Sequence, residues 1–125
     1  MSRILIVDDA SEITEMVQSM LETHGHEVAG VAHDGLEAIE KYKALRPDVV
    51  LMDILMPGMD GMQSIRKILE YDKKAKIVVV TALGRDALKN EVVKAGAVDF
   101  VTKPFEVKRL LGAIELATAP PQKSP

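Results

Sequence analysis

The sequence predicts an α/β domain in which five strands alternate with five helices. Runs rich in Val and Ile recur along the 125 residues, and each is followed by a segment whose apolar residues have helical spacing. Four of the runs are almost continuously apolar, which is typical of parallel strands buried on both faces. Because strands that alternate with helices form parallel sheets with helices packed on both faces, we expect a doubly wound sheet.

Each predicted element rests on one of these two patterns. In the first helix, Ile13, Val17 and Leu21 recur every four residues, as they do on one face of a helix. The expected strand order is 2-1-3-4-5, the flavodoxin-like order of a five-stranded doubly wound sheet. The predicted strands are residues 4–7, 28–32, 49–52, 77–80 and 98–101, and the predicted helices are residues 11–24, 35–45, 61–70, 86–95 and 106–118.

Local signals mark the ends of the predicted helices. Asp34 and Asp60 each precede a helix, and each is predicted to cap its N-terminus in a capping box. Gly25 and Gly96 stand where a helix can end in a left-handed residue. Pro47 is predicted to stop the second helix, because proline cannot continue it.

Length and composition limit the classes of function. The chain fits one domain, predicted over residues 1–118, with a flexible tail or the start of a linker over residues 119–125. The net charge of −3, without a basic block, argues against direct binding of nucleic acid. The chain has no Cys, which fits a reducing cytoplasm. No apolar stretch approaches the roughly 18 residues that span a membrane, so we expect a cytoplasmic protein without membrane attachment.

Polar side chains follow four of the predicted strands at the point where each strand ends. In a parallel sheet these ends share one edge, so neighbouring strands bring their polar residues into one crevice. Singly, each residue is also explained as a turn residue, a helix cap or an exposed lysine. Together they predict a functional site. The residues are Asp8 and Asp9 after the first strand, Asp53 after the third, Thr81 after the fourth, and Thr102 and Lys103 after the fifth.

This combination of side chains favours phosphoryl chemistry. Three carboxylates in one crevice repel one another, so they need a cation or raised pKa values. Oxygen ligands without His or Cys suit Mg²⁺, and Lys103 and Thr81 suit the oxygens of a phosphoryl group. Asp53 lies centrally among the strand ends, so it is the better candidate for a carboxylate that attacks phosphorus. Asp8 and Asp9 are then expected to hold the metal.

Four segments resemble the receiver domains of bacterial and archaeal two-component response regulators. They are "VDD" (7–9), "MDILMPGMDG" (52–61), "VVTA" (79–82) and "DFVTKPF" (99–105), in order and at suitable spacing over essentially the whole chain. The resemblance implies that a histidine kinase or a phosphotransfer protein donates a phosphoryl group to Asp53 and that Mg²⁺ is required.

The resemblance also implies a set of metal ligands. Asp8, Asp9 and Asp53 are expected to bind Mg²⁺ with their carboxylates, and Asp9 is expected as a direct ligand. The backbone carbonyl of Leu55 is expected as a further ligand, which its apolar side chain does not reveal.

The same resemblance implies a switch. Thr81 and Lys103 are expected to bind the phosphoryl oxygens, and the Lys103–Pro104 peptide bond is expected to be cis. Phosphorylation is expected to draw the Thr81 hydroxyl inward and to let the side chain of Phe100, which is Tyr in other members, turn into the space that Thr81 leaves. The expected partner surface is formed by helix 4, strand 5 and helix 5, around Lys89, Val93, Asp99, Lys108 and Leu111.

A stand-alone regulator of the chemotaxis or phosphorelay type is the favoured role, and a receiver cut from a multidomain transcriptional regulator is the alternative. We expect a monomer, or a weak dimer on phosphorylation, that acts on a downstream protein.

A Mg²⁺-dependent aspartyl phosphatase would carry a second acid two residues after the nucleophile, where this chain has Leu55. A flavin carrier would need a phosphate-binding loop and aromatic residues, which make up 3% of the chain. The chain is therefore expected to catalyse only its own phosphorylation and dephosphorylation and not to be an enzyme in the usual sense.

Overall fold

A parallel sheet with helices on both faces is formed by the residues that the computed structural model describes, which are 2–55, 61–84 and 86–119. The strands are β1 (Arg3–Val7), β2 (Glu27–Ala32), β3 (Val49–Met52), β4 (Ile77–Thr81) and β5 (Asp99–Thr102). The helices are α1 (Ser11–Thr23), α2 (Gly35–Leu45), α3 (Gly61–Tyr71), α4 (Asp86–Ala95) and α5 (Val107–Thr118). All strands are parallel, in the order β2-β1-β3-β4-β5. The predicted fold class and strand order are confirmed.

The predicted ends of the elements are correct to within one residue. The first helix stops at Thr23 because His24 has left the helical conformation, with φ −98° and ψ 16°. The last helix starts at Val107 because Glu106 is extended, with φ −84° and ψ 147°, and serves as its N-cap. No helix in the described part of the chain is long and apolar enough to cross a membrane.

The sheet is buried on both faces, as its continuously apolar strands predict. Successive side chains of a strand point to opposite faces. Along β1, Ile4 and Ile6 therefore pack in the cluster that α1 and α5 cover, whereas Leu5 and Val7 pack in the cluster beneath α2, α3 and α4. Apart from the half-buried edge strand β2, both faces are used for packing, so the strand ends are the part of the sheet that can build a site.

The predicted helix ends are largely confirmed. The Asp34 carboxylate accepts a hydrogen bond from the Glu37 N–H at 2.8 Å, but the Glu37 carboxylate accepts from the His33 N–H, one residue before the capping residue. The capping box is therefore modified, because Glu37 reaches past Asp34. Gly25 and Gly96 have φ values of 86° and 115°. Asp60, the other predicted cap, lies outside the described residues.

Gly61 is the first residue of α3, and it packs closely against Ile54, the residue that follows Asp53. A Cβ atom at Gly61 would lie 2.5 Å from the Ile54 Cα, which is a backbone atom. We expect Gly61→Ala to lower the free energy of unfolding by about 1–3 kcal/mol, the usual cost of overpacking. Urea denaturation followed by circular dichroism measures this change.

Gly112 supplies a matched control in α5. No heavy atom lies within 4 Å of the Cβ that Gly112→Ala would add. The same substitution should therefore raise the free energy of unfolding by about 0.5–1 kcal/mol, because Ala is the better helix former. Equal effects of the two substitutions would show that the backbone at Ile54 is not a rigid neighbour of α3.

Candidate functional site

Asp8 and Asp53 lie side by side because they follow neighbouring strands. β1 and β3 pair with Val7 opposite Met52. Asp8 follows Val7 and Asp53 follows Met52, so the two aspartates are neighbours. The Asp53 N–H donates to the Val7 carbonyl at 2.9 Å, which extends the pairing by one residue. Asp8 and Asp53 are 4% and 7% exposed, whereas Asp9 is exposed. Carboxylate oxygens of all three lie within 4.8 Å of one another, so the structure brings the predicted acids together.

Lys103 reaches two of these acids from the end of β5. Its ammonium nitrogen lies 2.6 Å from Asp8 Oδ2 and 3.0 Å from Asp53 Oδ2. Burial by itself would lower the pKa of Lys103, but the hydrogen bonds to Asp8 and Asp53, together with the negative charges of these carboxylates, outweigh burial and raise that pKa. Lys103 is therefore a fixed positive charge at neutral pH. The peptide bond from Lys103 to Pro104 is cis, as the family resemblance implies.

The second oxygen of each buried acid accepts a hydrogen bond from the backbone two residues on. Asp8 Oδ1 accepts from the Ala10 N–H at 3.0 Å, and Asp53 Oδ1 accepts from the Leu55 N–H at 2.9 Å. In each carboxylate, one oxygen thus accepts a hydrogen bond from the backbone of the following loop, and the other accepts one from Lys103. Hydrogen bonds to both oxygens of a carboxylate restrict its rotation, so the site is organised before any ligand binds.

Thr81 ends β4 at the same edge of the sheet and is fully buried. Its hydroxyl oxygen accepts from the Leu83 N–H at 3.4 Å, and its carbonyl accepts from the Lys103 N–H at 2.8 Å. The backbone bond ties the ends of β4 and β5 together. Thr102, the other polar residue after the apolar run of β5, is exposed.

The donor set fits a hard divalent cation. The metal-ligand cluster found among the described residues consists of carboxylates alone, which are the ligands that Mg²⁺ takes in proteins. The backbone carbonyl of Leu55, predicted as a further ligand, belongs to the turn that Asp53 fixes through the Leu55 N–H. Three carboxylates and one ammonium leave a net negative charge, so a cation is favoured here on electrostatic grounds.

Phe100 is 5% exposed and packs in the core cluster beneath α2, α3 and α4. A residue that sequence analysis did not single out, Arg109, contacts its backbone. Arg109 donates to the Phe100 carbonyl and forms an ion pair with Asp99. Leu111, predicted on the partner surface, is half-buried and packs against the cluster of α1 and α5. The inward face of α5 is set by Leu110, Ala113, Ile114 and Ala117, and this helical phase was the signal in the sequence that could have identified Arg109.

Comparison with known proteins agrees with this geometry. A family model described as the response regulator receiver domain matches residues 4–115. The chemotaxis protein CheY of Thermotoga maritima is 48% identical over 112 residues, which are 90% of this chain and 93% of that protein. The transcriptional regulatory protein TrcR of Mycobacterium tuberculosis is 38% identical over 90% of this chain but 43% of its own length. A chain in the crystal structure of the CheX–CheY–BeF3–Mg²⁺ complex from Borrelia burgdorferi has a TM-score of 0.88 and 33% identity, with 90% of this chain and 86% of that chain covered.

Proposed function

The chain belongs to the response regulator receiver domain family of two-component signalling, and we propose that it is a switch that accepts a phosphoryl group on Asp53. The contact of Lys103 with both Asp8 and Asp53 carries this proposal. A buried carboxylate with a fixed cation beside it and two further acids within 4.8 Å can attack an electrophilic phosphorus atom. The donor would be the phosphohistidine of a histidine kinase or of a phosphotransfer protein.

In the transfer, an oxygen of Asp53 forms a bond to phosphorus while the bond from phosphorus to the donor's nitrogen breaks. The leaving imidazole keeps the electron pair of that bond. Lys103 then pairs with an oxygen of the incoming group, where its charge offsets the charge of the phosphoryl oxygens. The Thr81 oxygen accepts from the Leu83 N–H, so its own hydroxyl proton can be donated to a phosphoryl oxygen.

Asp8, Asp9, Asp53 and the Leu55 carbonyl would hold Mg²⁺, which supplies positive charge to the phosphoryl oxygens when it is bound. The carboxylate cluster supports this assignment. The similar chain from Borrelia burgdorferi belongs to a complex with BeF3 and Mg²⁺, which is further support from a relative.

The output proposed for the switch is a change in the surface formed by α4, β5 and α5, which regulates a downstream protein. A stand-alone regulator of the chemotaxis type is favoured, because identity to CheY of Thermotoga maritima is 48% and identity to TrcR is 38%. The domain catalyses only its own phosphorylation and dephosphorylation.

Incubation with acetyl phosphate tests the proposal. In Mg²⁺ the intact mass should rise by one phosphoryl group, which alkali removes because an acyl phosphate hydrolyses readily. With a chelator in place of Mg²⁺ the mass should stay that of the unmodified chain. Uptake that is equal with and without Mg²⁺, or turnover of a general phosphatase substrate, would contradict the proposed function.

A further inference from the structure

The edge strand β5 has β4 on one side, and its other side faces outward at the end of the sheet order. On this strand both backbone groups of Phe100 bond to side chains. The Phe100 N–H donates to Asp99 Oδ1 at 2.8 Å, and the Phe100 carbonyl accepts from Arg109 Nη2 at 2.9 Å. Two charged side chains thus take the place that a further strand would take beside Phe100.

Asp99 and Arg109 also hold each other. Arg109 Nη1 donates to Asp99 Oδ2 at 2.9 Å, and Arg109 Nη2 donates to Asp99 Oδ1 at 3.0 Å. The hydrogen bond from Arg109 holds the pKa of the Asp99 carboxyl below its usual range, so the pair stays charged at neutral pH. A bidentate pair has a fixed geometry, which makes these two side chains, named here the Asp99–Arg109 clasp, a rigid link between β5 and the first turn of α5.

Arg109, one of the two residues of the clasp, lines the same cavity as Phe100. A cavity of about 430 Å³ is lined by Phe100 and Arg109, together with Lys89 and Phe105. The Phe100 side chain itself is buried and packs in the core cluster beneath α2, α3 and α4. A displacement of Arg109 would therefore change the surroundings of Phe100.

We propose that Asp99 and Arg109 are a positioning pair for Phe100, which links α5 to the switch residue through the backbone of β5. The Asp99–Arg109 clasp fixes the N–H and the carbonyl of Phe100, and with them the direction in which its side chain leaves the strand. The Arg109 side chain is 46% exposed, so a protein bound at the surface of α4, β5 and α5 can contact it. Such a partner would act on Phe100 through Arg109.

This inference rests on the proposed function, because Phe100 acts as a switch residue if Asp53 is phosphorylated. The two are tested separately by studying the unphosphorylated protein first. The chain contains two Phe residues, so ¹³C-labelled phenylalanine gives a simple ring spectrum, and ¹⁵N labelling reports the exchange of each backbone amide with solvent. Acetyl phosphate and Mg²⁺ are then added to the same samples, and absence of a phosphoryl group would contradict the proposed function alone.

In the unphosphorylated Arg109→Ala protein, Asp99, which accepts from the Phe100 N–H, loses the two hydrogen bonds that hold it in place. We therefore expect the Phe100 amide to exchange about tenfold faster than in the wild type, the size of effect expected for one hydrogen bond to a charged group. The Phe100 ring signals should move as well. The amides of Val79 and Val80 in β4 should keep their exchange rates, because the sheet itself stays intact. Arg109→Lys, which keeps the charge without the bidentate geometry, should give an intermediate exchange rate at Phe100.

Arg66→Ala is the matched control, since Arg66 is an exposed arginine of α3 for which no ion pair is found within the described residues. It should leave the Phe100 amide and ring unchanged. Arg109→Gln repeats the test if the alanine variant fails to fold. An unchanged Phe100 amide and ring in the Arg109 variants would overturn the proposal. Equal acceleration at Phe100, Val79 and Val80 would also overturn it, because the ion pair would then act on stability alone.

Discussion

The Asp53→Asn variant is expected to take up no phosphoryl group from acetyl phosphate, at any concentration of Mg²⁺. An amide oxygen carries no negative charge, so it is a far poorer nucleophile toward phosphorus than a carboxylate. The variant also loses one of the three carboxylates of the metal cluster. Intact mass after incubation with acetyl phosphate measures the outcome, and removal of the nucleophile should lower the initial rate by at least about 10⁴-fold, to below detection.

Asp48→Asn is the control for this experiment. Asp48 directly precedes β3, so it lies at the opposite end of the strand that Asp53 follows, and it is exposed. This variant should be phosphorylated at the rate of the wild type. If Asp53→Asn still gains one phosphoryl group with wild-type kinetics, another residue is the acceptor, and Asp53 is then a metal ligand only.

The fold was predictable because its signals are local in sequence. A continuously apolar run such as Val49–Met52 packs on both faces wherever it lies in a sheet, and Gly25 ends α1 with a φ of 86° that other residues rarely adopt. The site acids were predictable for a related reason. Asp8 and Asp53 each follow a strand directly, so the strand order alone brings them together.

The contacts of long side chains were less predictable, because they depend on side-chain torsions that one sequence does not display. Lys103 was expected to bind a phosphoryl group, and in the structure its ammonium contacts Asp8 and Asp53. Arg109 bonds to residues ten and nine positions earlier in the chain. The helical phase of α5 places Arg109 next to the inward face of the helix, but it does not say which residue of β5 the side chain bonds to. The chemistry of the site could therefore be predicted from residue types, whereas the Asp99–Arg109 clasp could be identified only from the three-dimensional structure.

Lys103→Met is expected to destabilise the protein in a chelator and to tighten its binding of Mg²⁺. The substitution leaves Asp8 and Asp53 buried without the ammonium that contacts both. Removing one partner of a fully buried ion pair costs roughly 3–5 kcal/mol. The Lys103 side chain is 19% exposed, so a loss of about 2 kcal/mol in the free energy of unfolding is expected. Urea denaturation in the presence of a chelator measures this change.

The expected gain in Mg²⁺ affinity has the same origin. The ammonium of Lys103 bonds to the carboxylate oxygens that a bound cation would need, so Mg²⁺ has to compete with a charge of the chain itself. Without that charge, the dissociation constant measured by isothermal titration calorimetry should fall by about tenfold, which corresponds to about 1.4 kcal/mol. Lys67→Met, at an exposed position of α3, should change neither the stability nor the affinity. A weaker affinity in Lys103→Met would show instead that Lys103 organises the carboxylates for the metal, and would exclude competition between the two cations.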